Sequence, residues 1–397
     1  MMVENTWQTE IHRELTGNIL PFWMQHARDP EQGGFYGSLS NHLVVDNQSP
    51  RSAILTARIL WTFSAAYGYE RRPEYLAMSE YAFAYLCQKF IDPLYGGVYW
   101  SVDAQGQPLQ RRKHSYAQAF AIYGLSEFYR ASADATALHM AQHLFELLDQ
   151  YAYEPRFGGY LEGRAEDWSA TIDMRLSEKE IDAQKSMNTL LHLLEAFTNL
   201  YRVWPDSHLG QRMLELTNIF LEHILEPGGQ HLRLLFDDRW NSLVNSVSFG
   251  HDIEASWLLV ESADVLGISE LSQRIKVAAV QMAQAVYEQG LWPDGCVILE
   301  QDEKGQRNPE RHWWPLAEGM VGFYHAYQLT SRLHFERASR RCWQFAQDRM
   351  VDRQYGDWYK VLEASYIPKA GYPKMGAWEC PYHHARACLE LIKRLNK

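Results

Sequence analysis

A glycine–aromatic turn recurs six times along the chain, and no other feature constrains the fold as much. It is sharp at Gly33-Gly-Phe-Tyr-Gly37, Gly96-Gly-Val-Tyr-Trp100 and Gly158-Gly-Tyr-Leu161. Looser copies stand at Gly228-Gly-Gln-His-Leu232, Gly290-Leu-Trp-Pro-Asp-Gly295 and Gly356-Asp-Trp-Tyr359. Counted from Gly33 the spacings are 63, 62, 70, 62 and 66 residues, a period near 64. Self-similarity at a fixed period marks a chain built from one repeated supersecondary unit.

Two helical patterns lie between successive turns. Ile54, Leu55, Ile59, Leu60, Trp61 and Phe63 outline a helix over 52–69, and Tyr75, Leu76, Ala82, Phe83, Leu86 and Phe90 a second over 73–90. The pair recurs near 116–130 and 136–152, 186–203 and 208–225, 252–267 and 270–288, and 315–330 and 333–350. An unpaired helix near 7–27 begins the chain and another near 382–395 ends it, and the two complete a sixth pair if the chain closes into a ring. Twelve helices in six hairpins with short β-like turns describe an all-α (α/α)6 barrel. An open solenoid of helix pairs is the alternative, but it calls for polar capping repeats. Here the first and last helices are as apolar as the rest, which favours closure. No Gly/Ser/Pro linker divides the chain, so one domain over 1–397 is expected.

Composition removes several function classes. A net charge of −11 argues against nucleic acid and anionic membrane surfaces. No apolar run is long enough to span a bilayer. Met1-Met-Val-Glu-Asn-Thr-Trp7 lacks a basic stretch followed by an apolar block, so no secretory leader is expected. Five scattered cysteines, at 87, 296, 342, 380 and 388, form no CxxC pair and suit a reduced, cytoplasmic protein. Aromatic residues are abundant, 13% with 14 Trp, as expected where a protein stacks on the apolar faces of sugar rings.

Polar residues cluster where the post-turn helices begin. Phe249-Gly-His-Asp-Ile-Glu-Ala-Ser-Trp257 is the richest stretch: Gly250 reads as a breaker, and His251 and Glu254 share one face of the first turn. The plainer reading is an ordinary helix start capped by Asp252. Arg58 lies in the first such helix, Tyr116 opens the second, and Asn188 and His192 lie in the third. Trp313, Trp314 and Glu318 open the fifth, and Trp378 and His383 precede or open the sixth. Equivalent helix ends in a closed ring point to one side, so the set converges. Each member alone has a structural explanation: a buried ion pair for Arg58, a satisfied core imidazole for His192, packing for the tryptophans, arginine pairing for Glu195 and Glu318. Coincidence in six repeats carries the functional reading.

No HExxH and no dense Cys/His set is present, and Arg58 opposes a cation, so no metal is expected. Neither a Walker loop nor a dinucleotide fingerprint occurs, so no cofactor is expected. Histidines around an arginine suit proton transfer next to a carbonyl, because imidazole titrates near neutrality. Removing a proton alpha to an aldehyde leaves an enediolate, which Arg58 can stabilise. One base on each face permits inversion of the carbon.

Lys185-Ser-Met-Asn-Thr189, His192-Leu-Leu-Glu195, His251-Asp-Ile-Glu-Ala-Ser-Trp257, Trp313-Trp-Pro-Leu-Ala-Glu318 and Trp378-Glu-Cys-Pro-Tyr-His383 resemble cellobiose 2-epimerases of the N-acylglucosamine 2-epimerase superfamily, over nearly the whole chain. The resemblance implies the (α/α)6 barrel. It implies that His251 and His383 are the acid/base pair, that His192, Arg58, Asn188 and Glu254 bind or polarise the open-chain sugar, that Tyr116 contacts it, and that Trp314 and Trp378 stack on it. Leu190 stands where disaccharide-acting members carry another histidine, and His384 where Asn is usual. The expected enzyme is a cofactor-independent epimerase at C2 of an aldose, acting on a cellobiose-type β-1,4 disaccharide through a cis-enediolate. Mannose 2-epimerases and aldose–ketose isomerases are the near alternatives. An inverting glycosidase using Glu254 and Glu318, or a non-catalytic sugar-binding barrel, are the distant ones. Ser177–Glu180 and the Asp237–Trp240 loop are expected to form a rim for the second sugar ring. The partner is a small sugar, with no nucleic acid and no membrane, and the chain is expected to be a monomer or weak dimer.

Overall fold

The computed structural model describes residues 2–176 and 181–396. Twelve helices form two concentric rings. Helix α1 runs over Met2–Glu14 and continues through a π turn, Leu15–Ile19, into Leu20–His26. The others are α2 (Ala53–Tyr69), α3 (Pro73–Tyr85), α4 (Ser115–Ser132), α5 (Ala135–Tyr151), α6 (Met187–Tyr201) and α7 (Ser207–Ile219). Then follow α8 (Phe249–Leu266), α9 (Ser269–Gln289), α10 (Trp313–Thr330), α11 (Leu333–Phe345) and α12 (Tyr382–Leu395). Helices α3, α7 and α11 each end in a π turn.

The even-numbered helices form the inner ring. They are buried nearly all round, as in the run Ala53–Ser64 of α2 and Ser115–Phe128 of α4. The outer helices are amphipathic: α11 buries Phe335, Ala338, Ser339, Cys342 and Trp343 and leaves its arginines outside. Each inner helix packs on the next, and α12 packs back on α2, so the ring is closed. Close approach depends on glycine at two crossings. A Cβ on Gly124 would stand 2.7 Å from the Ala57 carbonyl oxygen, and one on Gly322 would stand 2.6 Å from that of Ile253.

Short antiparallel pairings link each unit to its successor on the face where the inner helices start. Strand β1 (Arg51–Ser52) pairs with β2 (Ser101–Val102), which also pairs with β3 (Pro108–Gln110). Strand β4 (Lys113–His114) pairs with β5 (Gly163–Arg164), β6 (Lys185–Ser186) with β7 (Leu235–Phe236), and β8 (Arg311–His312) with β9 (Val361–Leu362). Single bridges supply the other two links: Val247 with Gln301, and Leu39 with Met375, which joins the first unit to the last.

The glycine turns anchor buried charge. Asp29 accepts backbone N–H bonds from Glu31 and Gln32 and pairs with Arg51, the residue that opens β1. The arrangement repeats as Asp92–Lys113, Glu154–Lys185, Asp294–Arg311 and Asp352–Lys374. Lys113 and Asp92 lie 2.6 Å apart with side chains 0% and 1% exposed. The fourth unit breaks the pattern. Its bridge residue Val247 carries no charge, and Asp252 reaches back instead to the Leu232 N–H (2.9 Å) and His231 Nδ1 (2.8 Å).

Two local expectations change. Gly250 does not break the chain; it lies inside α8, which starts at Phe249. A Cβ there would stand 2.5 Å from the Trp314 ring, so glycine makes room for that indole. Asp252 is not the cap: Ser248 holds that position, and Asp252 is buried against the preceding unit.

Candidate active site

A cavity of about 430 Å³ opens at the centre of the strand-bearing face. Arg58 (α2), Tyr116 (α4), Asn188 and His192 (α6), His251 and Glu254 (α8), Trp313 and Trp314 (α10), Trp378 and His383 (α12 and the loop before it) all line it. Leu176, Leu299, His312 and Tyr372 complete the wall. Glu318 does not line it. It is fully buried behind His383, bonded to that ring, to Trp257 and to Arg386.

His383, His192 and His251 are each held from behind through Nδ1. His383 Nδ1 lies 2.7 Å from Glu318 Oε1, and His192 Nδ1 lies 2.9 Å from Glu195 Oε2. Donation from Nδ1–H to a carboxylate leaves Nε2 as the free nitrogen of the ring. His251 Nδ1 lies 2.7 Å from Ser248 Oγ. A hydroxyl donates or accepts, so Ser248 supports either tautomer of His251. Trp314 touches both rings, with centroids 4.8 Å from His251 and 5.6 Å from His383.

Burial sets the charge states. It pulls His251 down to about 3, and repulsion between that ring and His192, were both charged, acts in the same direction. Burial, followed by the guanidinium charges of Arg58 and Arg386, holds His383 well below its ordinary value against the opposing charge of Glu195. Burial likewise lowers His192. All three are neutral imidazoles at pH 7.

Burial works against the Arg58 charge, but Tyr116, Cys380 and Tyr382 raise its pKa above the ordinary value. Arg58 donates to the Tyr116 hydroxyl (2.9 Å) and lies over Phe120, 4.1 Å from the ring centroid. Burial, followed by the charge of Glu318, pushes Glu254 up. Its Oε2 is buried with no hydrogen-bond partner, as is Asn188 Oδ1. Both residues line the cavity, and the hydrogen-bonding capacity of these two atoms is not used within the protein. Burial raises Glu195 too, but Arg386 and His192 outweigh it and hold the group down at about 2.

Oxygens of Glu254 and Glu318 and a nitrogen of His383 lie within 4.8 Å of one another, as a metal-binding set would. Arg386 Nη2 already bonds both carboxylates there, at 2.7 and 2.8 Å, so a guanidinium stands where a cation would sit. The same closeness disfavours an inverting glycosidase, whose carboxylates stand roughly 6.5–9.5 Å apart to admit a water.

Several residues near the site fall outside the sequence reading. Arg386 is three positions after His383 on α12, and Ser248 three before His251, so spacing holds a signal for both. Leu176, Leu299 and Tyr372 arrive on loops, where no periodicity marks them. The rim expectation fails for Asp237–Trp240: Trp240 is buried, stacks on His223 and donates Nε1–H to the Phe157 carbonyl. Ser177–Glu180 lies outside the described residues. Leu190 and His384 are fully buried off the cavity wall, and His384 bonds Asp357 at 2.6 Å. Among the described residues no helix is long and apolar enough to cross a membrane.

The sequence pattern of the N-acylglucosamine 2-epimerase (GlcNAc 2-epimerase) family matches residues 34–387. A cellobiose 2-epimerase of Bacteroides fragilis is 43% identical over 384 residues, covering 96% of this chain and 98% of that protein. One from Dictyoglomus turgidum is 35% identical and covers 98% of each chain. The solved structure of a cellobiose 2-epimerase from Bacillus thermoamylovorans superposes with a TM-score of 0.94 at 38% identity, over 98% of this chain and 100% of that one.

Proposed function

The chain belongs to the N-acylglucosamine 2-epimerase family, and from that premise we propose that it inverts C2 of the reducing-end aldose of a cellobiose-type β-1,4 disaccharide. The observation that carries this reading is a pair of neutral imidazoles, His251 and His383, on one cavity wall, each held through Nδ1, with Arg58 on the same wall. Relatives spanning nearly the whole chain are cellobiose 2-epimerases, which supports the substrate class.

The chemistry follows from the charges. His383 assists opening of the pyranose ring. One imidazole takes the C2 proton through Nε2 and becomes an imidazolium. The developing enediolate supplies the negative charge that offsets this imidazolium in a buried site. Arg58 stabilises the enediolate oxygen, with Tyr116 aligned by its hydrogen bond to Arg58. The intermediate turns, the first ring releases its proton to solvent while the other takes one up at Nε2, and that imidazolium delivers it to the opposite face and returns to neutral. The pair therefore works in unlike protonation states that exchange between forward and reverse reactions. Three carboxylates, Glu195, Glu254 and Glu318, face two guanidiniums, Arg58 and Arg386, leaving one negative charge in excess. A proton on Glu254 neutralises it and makes Oε2 a donor to a sugar oxygen. Asn188 and His192 complete the polar contacts; Trp313, Trp314 and Trp378 form the apolar walls. This mechanism requires neither a metal nor an organic cofactor.

Turnover of cellobiose in heavy water tests the reading. Deuterium is expected at C2 of the epimer, because a histidine proton exchanges with solvent during the intermediate's lifetime. Epimer free of label would overturn the two-histidine route. Comparing kcat/KM for cellobiose, lactose, mannose and glucose tests the substrate, since that ratio reports differential transition-state binding. Inert cellobiose with active mannose would identify a monosaccharide epimerase, and fructose from mannose an isomerase returning the proton to C1.

A further inference from the structure

One buried side chain ties the supports of two cavity imidazoles, His192 and His383, together without touching the cavity. Arg386, on α12, is 1% exposed and absent from the wall. Its Nη2 donates to Glu254 Oε1 (2.7 Å) and Glu318 Oε1 (2.8 Å), and its Nη1 to Glu195 Oε1 and the Tyr382 hydroxyl. Two of these carboxylates are the groups that hold His192 and His383 through Nδ1. The Arg386 guanidinium carbon lies over the Trp257 and Tyr382 rings, 4.8 and 4.2 Å from their centroids. Helices α6, α8, α10 and α12 thus meet at one guanidinium.

A second cavity, of about 520 Å³, opens at the opposite end of the barrel and ends on Arg386. Trp61, Tyr123, Asn199 and Arg202 line it. Arg386 Nε has no hydrogen-bond partner. The guanidinium therefore separates two cavities, one lined by the imidazoles and one entered from the far side.

We infer that Arg386 is the positioning residue of this site. Its planar fork fixes Glu318 and Glu195, and through them the rings of His383 and His192. The inference rests on the epimerase reading above. The guanidinium makes four contacts in fixed directions from two nitrogens; lysine, a compact charge with three donors on one nitrogen, does not reproduce that fork. Loss of the fork frees Glu318 to rotate and lets the His383 ring drift. A misplacement of about 1 Å costs on the order of 10²-fold in rate.

The test compares wild-type protein with Arg386→Lys and Arg386→Ala, after circular dichroism and thermal unfolding have established which variants fold. Wild-type inactivity on every aldose would refute the epimerase reading itself. With an active wild type, Arg386→Lys is expected to lower kcat by about 10²-fold and leave KM within roughly threefold, because the cavity wall is intact. Arg386→Ala opens a passage from the far cavity, so guanidinium ion, at concentrations far below those that unfold the protein, should restore kcat saturably. Urea, which has the same shape and no charge, should not. A folded Arg386→Lys variant with near-normal kcat overturns the inference. So does a folded Arg386→Ala variant that guanidinium leaves inactive, or failure of both variants to fold, which would mark the residue as a folding requirement only.

Discussion

His251→Ala and His383→Ala should each lower epimerisation by at least about 10²–10⁴-fold while the chain stays folded, since each removes a group that moves a proton. A His251→Ala variant with near-normal kcat would remove that residue from the mechanism. Gly250→Ala tests the space beside it: the added methyl meets Trp314 at 2.5 Å and Pro315 at 3.0 Å, so the indole must move. Overpacking of this kind costs roughly 1–3 kcal/mol, and kcat/KM should fall with it; unchanged kinetics would show that Trp314 yields freely. At this scale the sequence was legible where a side chain sits in the first turn of an inner helix. His251, Trp313, Trp314 and His383 all do, Glu254 follows one turn further in, and all five line the cavity. For Glu318 the plainer alternative, pairing with an arginine, is what the structure holds. Glu318 stands at the same helix position as Glu254 but turns from the cavity into the core. Its true neighbour, Arg386, occupies the matching depth on α12.

The repeated turns were read from glycine and aromatic spacing, yet their energetic content lies in charge. An acid that caps its own turn and pairs with the cation opening the next strand or bridge is distributed over 17 to 31 residues, too variable a spacing to stand out in the sequence. Lys113→Ala isolates one such pair. It leaves Asp92 buried and still bound to the Leu94 and Tyr95 N–H groups but without its counter-ion. Breaking a buried pair from one side costs roughly 3–5 kcal/mol, so a drop in denaturation midpoint of that size is expected, with the cavity residues unchanged. A Lys113→Ala variant as stable as wild type would show that the pair contributes only geometry. The fourth unit, which carries His251, replaces this pair with Asp252 and His231, and no charge pattern in the sequence foretold that exchange.

Ring closure was legible because the first and last helices are apolar and unpaired in sequence; the packing of α12 on α2 and the Leu39–Met375 bonds complete it. The loops that cross between units were not, because their side chains answer to neighbours far along the chain. The closed ring buries imidazoles both at the site and away from it, and this gives the molecule a pH-dependent stability. Burial lowers His114, His251 and His325 to about 3 each; the neighbouring charges differ, Arg112 for the first, His192 for the second, Arg394 for the third. An unfolded histidine titrates near 6.5. Between these values the unfolded chain binds more protons, so stability rises with pH. The contribution is complete above about 6.5 and is lost as pH falls toward 3, by roughly 2 kcal/mol per histidine at pH 5. Glu254, Asp252, Glu318 and Glu379, which burial raises, contribute with the opposite sign, whereas His312 and His384, lowered by burial to about 4, and His383 act with the first three. Calorimetry at fixed ionic strength should therefore show Tm falling from pH 7 to pH 5. His325 lies away from the cavity wall and its Nε2 has no partner, so His325→Leu should reduce that slope by about one proton without touching epimerisation. A slope unchanged by this substitution would mean that His325 is protonated in the folded ring.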